Sequence, residues 1–175
     1  MEIKGFLTNL GKYNEGELVG RWVTFPIDED EQNEIFESLG LCHYDEEGEY
    51  VSTPYEEYFF TDWDGGFGLG EYESIERVNE LAEALEGWDD DLLEAVTEVW
   101  GLDEVLTHSP DDYNLYSDVR TDFDLGYYWL EESGCYDLEK LGNLAYYIDY
   151  EKFGRDIRFE SNGGFCSRGW VEYVG

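Results

Sequence analysis

The 175-residue chain sets 44 Asp and Glu against 10 Lys and Arg, a formal net charge of −34 at pH 7; this excludes a binder of nucleic acid or anionic lipid and steers toward basic partners. Its 42% hydrophobic and 18% aromatic residues, with only 3 Pro, exclude the aromatic-poor make-up of an acidic disordered chain. Cys42, Cys135 and Cys166 lack CxxC spacing and no run of 18 apolar residues occurs, so no disulfide framework, zinc site or membrane span is expected and the chain reads as a soluble, cytoplasmic protein.

In chain order, residues 3–7 and 18–25 read as strands separated by GKYNEGE, whose Gly and Asn are turn formers, which predicts a small antiparallel sheet. Beyond Pro26, Asp28 is placed to cap a helix reaching about Leu39, with acids in its first turn and Gly40 as its stop. Residues 56–63 predict a further strand, and the glycine-rich stretch 65–70 a break. From 72 to 85, Ile75, Val78, Leu81, Ala82 and Leu85 fall on one helical face and Glu73, Glu76, Glu80 and Glu83 on the other. The pattern recurs over 90–100, where Leu92, Leu93, Val96, Val99 and Trp100 oppose Asp90, Asp91, Glu94 and Glu98. Residues 108–114 predict a loop, 115–116 a short strand, 124–132 and 138–149 helices, and 169–174 a closing strand. The class is α+β, and the breaks divide it into an N-terminal α+β domain (1–64), a central acidic helical domain (65–108) and a C-terminal α+β domain (109–175).

The charge is unevenly placed. Residues 1–21 hold three acids and three bases and residues 140–175 five of each, which leaves 36 acids and two bases, Arg77 and Arg120, on 22–139. On duplex DNA, 34 negative charges correspond to about 58 Å of axis, roughly 17 base pairs. Carboxylates three or four apart on a helix stand about 5 Å apart along its axis, comparable with the spacing of charge along DNA. A solvated helix face is the plainer account of either helix alone. Like charges at this spacing cost a few tenths of a kcal/mol per pair, however, and no interspersed Lys offsets them.

The residues offer little to catalysis, and no catalytic residue, metal ligand or cofactor is expected. His43 and His108 stand in unrelated contexts, read as surface residues, and form neither an HExxH pair nor a Ser-His-Asp set. Asp62 and Asp64 in DWDGG resemble the start of a calcium loop, but Phe67 stands where Gly is needed. GFGLG lacks the Lys-Ser/Thr of a phosphate loop and is embedded in acids. With 44 acids, a glycosidase-like carboxylate pair has no specificity.

Three stretches, NLGKYNEGELVGRWVTFPID (9–28), EEYFFTDWD (56–64) and above all NLAYYIDYEKFGRDI (143–157), resemble the ArdA antirestriction family, in the same order and at similar spacing. Stretches 65–70 and 87–108 carry no comparable motif. The resemblance implies a non-enzymatic DNA mimic carried by conjugative plasmids and transposons, which occupies the DNA-binding groove of type I restriction-modification enzymes, formed by the methyltransferase core and the DNA-specificity subunit. It also implies a homodimer of curved, elongated rods of three small domains, with the dimer contact in the third, and no direct binding of nucleic acid or membrane. DLGYYWLEESG (124–134) is the expected counterpart of the family's antirestriction motif, bringing in Tyr127, Tyr128 and Trp129. The charge-balanced stretch around 147–155 is expected to be scaffold, with Tyr146, Tyr147, Ile148, Tyr150 and Phe153 in core packing, the plainer account, or in the dimer contact.

The leading expectation is stoichiometric competition, with carboxylates standing in for phosphates. They are Asp28, Glu29, Asp30, Glu31, Glu34 and Glu37 on the first long helix; Asp45, Glu46, Glu47, Glu49, Glu56, Glu57, Asp62 and Asp64 beyond it; Glu73, Glu76, Glu80, Glu83 and Glu86; Asp90, Asp91, Glu94 and Glu98; and Asp111, Asp112, Asp118, Asp122, Asp124, Glu131 and Glu132. The alternatives are an acidic, histone-chaperone-like domain and a halophilic surface, against which the neutral ends argue.

Overall fold

A computed structural model describes residues 2–45, 47, 50–51, 53–65 and 68–175. The fold is α+β and divides into two compact units, Met1–Glu86 and Gly87–Gly175.

The first unit is built on an antiparallel sheet of order β2-β1-β5, with β1 at Ile3–Asn9, β2 at Gly20–Phe25 and β5 at Tyr58–Asp64. Ile3 pairs with Phe25 and Leu7 with Arg21 on one side, and Thr8 with Phe59 on the other. Ile3, Leu7 and Phe60 are fully buried and form the floor of the core. Between β1 and β2 the predicted turn contains a short helix, α1 (Leu10–Asn14), because buried Asn9 caps it: Asn9 Oδ1 accepts the Lys12 N–H at 2.9 Å. Asn9 Nδ2 donates to the Leu39 carbonyl at 3.0 Å, so both ends of its amide are satisfied away from water.

The helix α2 (Glu29–Ser38) starts in a capping box between Asp28 and Glu31. It stops at Gly40, whose φ of 69° takes the chain into the left-handed region while Leu41 N donates to the Phe36 carbonyl. A two-stranded hairpin, β3 (His43–Tyr44) with β4 (Tyr50–Val51), follows before β5. Helix α3 (Ile75–Ala84), capped by Ser74, buries Ile75, Val78 and Leu81. Its Asn79 brackets Ile27, accepting the Ile27 N–H at 2.9 Å and donating to the Ile27 carbonyl at 2.8 Å.

The second unit opens with α4 (Asp90–Trp100), capped by Asp89, and contains the antiparallel sheet β6-β8-β7, at Tyr113–Tyr116, Gly169–Tyr173 and Gly163–Cys166. Val119, Leu125 and Trp170 form its buried cluster, covered by Tyr116, Tyr128, Trp129, Ile157 and Phe165. The predicted helix at 124–132 is α5 (Asp122–Tyr127), beginning two residues earlier because Thr121 caps it, and widening into a π turn over Tyr128–Glu132.

The predicted helix at 138–149 is absent. Leu138–Tyr147 forms 3-10 turns broken at Gly142, where φ 53° and ψ −130° interrupt the helical path. Asp149 then caps a helix not expected from the sequence, α6 (Tyr150–Glu160). Helices α5 and α6 cross backbone to backbone. A Cβ on Gly126 would lie 1.9 Å from the Tyr150 carbonyl oxygen, and one on Gly154 would lie 1.8 Å from that of Asp122. Arg158 locks the crossing, its Nε and Nη2 donating to the two Asp122 oxygens at 2.8 and 3.2 Å.

Candidate functional surface

The acids of the first unit are exposed because the same helices spend their other faces on the core. On α2, Ile35 is buried while Glu29, Asp30 and Glu34 are exposed, and their carboxylates make no ion pair or hydrogen bond among the described residues. Asp28 and Glu31 are exposed but hold the helix start, at 2.8 and 3.2 Å, and Glu37 stands 3.8 Å from His43. On α3, Glu76, Glu80 and Glu83 are exposed and unpaired, opposite Val78 and Leu81. Half-buried Glu73 is different: it pairs with Arg77 one turn on and accepts the Gly70 N–H at 3.1 Å. Asp45, Glu47, Glu56, Glu57, Asp62, Asp64 and Glu86 are exposed; Glu46 and Glu49 lie outside the described residues.

In the second unit many of the acids serve internal contacts. Asp90, Asp91, Glu94 and Glu98 line the exposed face of α4. Arg168, from the turn between β7 and β8, reaches Asp91 at 3.1 Å and Glu94 at 2.6 Å. Glu98 accepts the Ser167 N–H at 2.8 Å, and this backbone hydrogen bond holds its carboxyl below the usual range. Asp112 accepts the Ser109 N–H, Asp124 accepts the Thr121 hydroxyl at the start of α5, Asp122 carries Arg158 and Glu131 accepts the Tyr150 hydroxyl. Asp111, Asp118 and Glu132 remain exposed. The two helices that look alike in sequence therefore differ: the α3 row is unpaired, whereas much of the α4 row is engaged by Ser167 and Arg168. Neither of these two residues was singled out from the sequence, since they lie about seventy positions from the acids they meet.

The expected scaffold aromatics separate in the same way. Tyr128 and Trp129 are half-buried against the Trp170 cluster, and Tyr127 is exposed. Tyr150 packs on Phe123 and Tyr127, its phenol pushed up in pKa by the hydrogen bond to Glu131, and Phe153 meets the edge of Tyr136. Tyr146 and Tyr147 do not pack in the core of this chain, being 88% and 85% exposed, since they follow the break at Gly142 and precede α6. His108, expected at the surface, is instead half-buried, its ring edge-on to Tyr113 and Tyr173 and its Nδ1 3.1 Å from Glu104. Glu104 also accepts the Tyr113 hydroxyl at 2.6 Å.

Among the described residues no group of three or more His, Cys, Asp or Glu is arranged to hold a metal, and no helix is long and apolar enough to cross a membrane. The cysteines are free; burial pushes the Cys42 and Cys166 thiols up in pKa, away from thiolate chemistry.

Fold and surface together define an acidic α+β protein that displays carboxylates from the outer faces of helices packed on small antiparallel sheets. Residues 6–172 match the family model described as Antirestriction protein (ArdA), and the chain belongs to the ArdA antirestriction family. Membership makes it an antirestriction protein directed at type I restriction-modification enzymes, in a family of inhibitors and not of enzymes. Comparison with curated proteins returned no match.

Proposed function

We propose that the chain is a DNA mimic that blocks restriction of incoming mobile-element DNA by occupying the DNA-binding groove of a type I enzyme, with no reaction and no cofactor. What carries this reading is the unpaired, exposed acid rows of α2 (Glu29, Asp30, Glu34) and α3 (Glu76, Glu80, Glu83) in a chain of net charge −34. A groove built for phosphates recognises such rows at long range, through an attraction that weakens with salt. The protein acts in the cytoplasm, where the enzyme meets incoming DNA. Its working form is a homodimer, with the exposed Leu144, Tyr146 and Tyr147 as the contact; large exposed apolar groups close together in the chain favour such a contact.

A titration tests the mechanism. Inhibition of a type I methyltransferase core saturates near one mimic assembly per DNA-binding site and is relieved by excess specific DNA; inhibition by trace protein overturns the reading. Changing Glu76, Glu80 and Glu83 together to Gln weakens binding about tenfold at low salt, from about 0.5 kcal/mol for each exposed charge, and flattens the salt dependence. Sedimentation tests the dimer: Tyr146→Arg with Tyr147→Arg shifts it to monomer at unchanged thermal stability.

A further inference from the structure

The turn between β7 and β8 lies on the acidic face of α4. Arg168 Nε and Nη2 donate to Glu94 Oε2 at 2.8 and 2.6 Å, and Nη1 stands 3.1 Å from Asp91 Oδ1. Glu98 accepts the Ser167 N–H at 2.8 Å, and Ser167 Oγ donates to Glu94 Oε1 at 3.4 Å. The Ser167 carbonyl is held in turn by Arg120 Nη1 at 3.3 Å. Asp91, Glu94 and Glu98 stand at positions i, i+3 and i+7, so the turn covers about 10 Å of one helix face. Two of the chain's ten Lys and Arg residues, one of them in the acidic middle, are committed to this place.

A guanidinium on a carboxylate row is also what a DNA-binding groove would bring to that row. We propose that the β7–β8 turn is an intramolecular occupant of the α4 row, and that Arg168 determines how much of the row a basic partner can use. The consequence for restriction enzymes rests on the DNA-mimic reading; the occupancy itself does not. The side chains of Arg168, Asp91 and Glu94 are 45%, 61% and 48% exposed, so water and salt compete for the contact and an incoming arginine can exchange with Arg168 without stranding a buried charge. The contrary account is that Arg168 only clasps the sheet to α4, where a Cβ on Gly164 would already lie 2.8 Å from Val99. A clasp predicts lost stability and no gain in binding when Arg168 is removed.

The test uses the full chain and a hexa-arginine peptide as probe, at about 50 mM salt. Arg168→Gln binds the peptide about threefold tighter than the unmodified chain, the size expected for freeing exposed charges. The gain is absent from the triple variant Arg168→Gln, Asp91→Asn, Glu94→Gln, and it fades as salt rises. Arg168→Lys, which keeps the charge but loses the planar fork, falls between. Equal affinity of Arg168→Gln and the unmodified chain overturns the proposal, whether or not stability falls. If Arg168→Gln is too unstable to assay, Arg168→Lys decides: no gain from it also overturns the proposal. Competition for a type I methyltransferase core separates the two ideas. A gain on the peptide without one on the enzyme supports the occupancy and counts against the α4 row as part of the DNA-like surface.

Discussion

Gly154→Ala should be among the most damaging small substitutions in the chain. The added methyl would lie 1.8 Å from the Asp122 carbonyl oxygen and 2.6 Å from the Gly126 nitrogen, both backbone atoms that no rotamer change can move. To restore ordinary contact at 3.4 Å, α5 and α6 must separate by about 1.6 Å, which also pulls Asp122 from the Arg158 fork at 2.8 and 3.2 Å. Ala is the better helix former by about 1 kcal/mol, but overpacking costs about 1–3 kcal/mol and breaking the pair adds to it. The net loss is about 2 kcal/mol, or roughly 4–8 °C in Tm for a chain of this length. The assay is thermal and urea unfolding followed by tryptophan fluorescence, with Gly70→Ala as control, where the added Cβ meets only the Glu73 carboxylate at 3.4 Å. If Gly154→Ala melts within 2 °C or so of the unmodified chain, the backbone crossing is not what holds these helices.

Other outcomes follow from single contacts. Asn79→Ala removes both partners of the Ile27 peptide groups and costs about 2 kcal/mol, read as a lower urea midpoint. Tyr113 has its phenol raised above the usual tyrosine range by burial and then by the bond to Glu104. Its contribution is therefore complete below about pH 10 and lost as pH climbs toward the folded value; Tyr113→Phe, about 1 kcal/mol less stable at pH 7, should show a shallower alkaline decline. Glu98, lowered by the Ser167 N–H, contributes above the ordinary carboxylate pKa and loses that contribution as pH falls through the folded value. The stability gap between Glu98→Gln and the unmodified chain should close on acidification, and a gap that persists at pH 2 refutes the assignment.

What could be read from the sequence was whatever neighbouring residues decide. Asp28 and Gly40 bound α2 because a cap and a left-handed stop act within one turn. The 3.6-residue period set the buried faces of α3 and α4 because Val78, Leu81, Leu93 and Val96 meet the core. Helix α6 went unread although Tyr150, Phe153 and Ile157 repeat at helical spacing, because the spacing of Leu138, Leu141 and Leu144 just before it imitates a helix that Gly142 breaks. The acid rows were legible as rows. Their state of pairing was not: Arg168 reaches Glu94 across 74 positions and leaves no periodic trace.

The tie between Asn79 and Ile27 joins the middle of α3 to the residue just before the α2 cap, and so joins two helices that carry acid rows. It is made of an amide and a peptide group, neither of them charged. Ionic strength can therefore dim the electric field of these helices while leaving this tie nearly untouched, so attraction and shape answer to different solution conditions. A partner released by salt would leave behind a surface already arranged for its return.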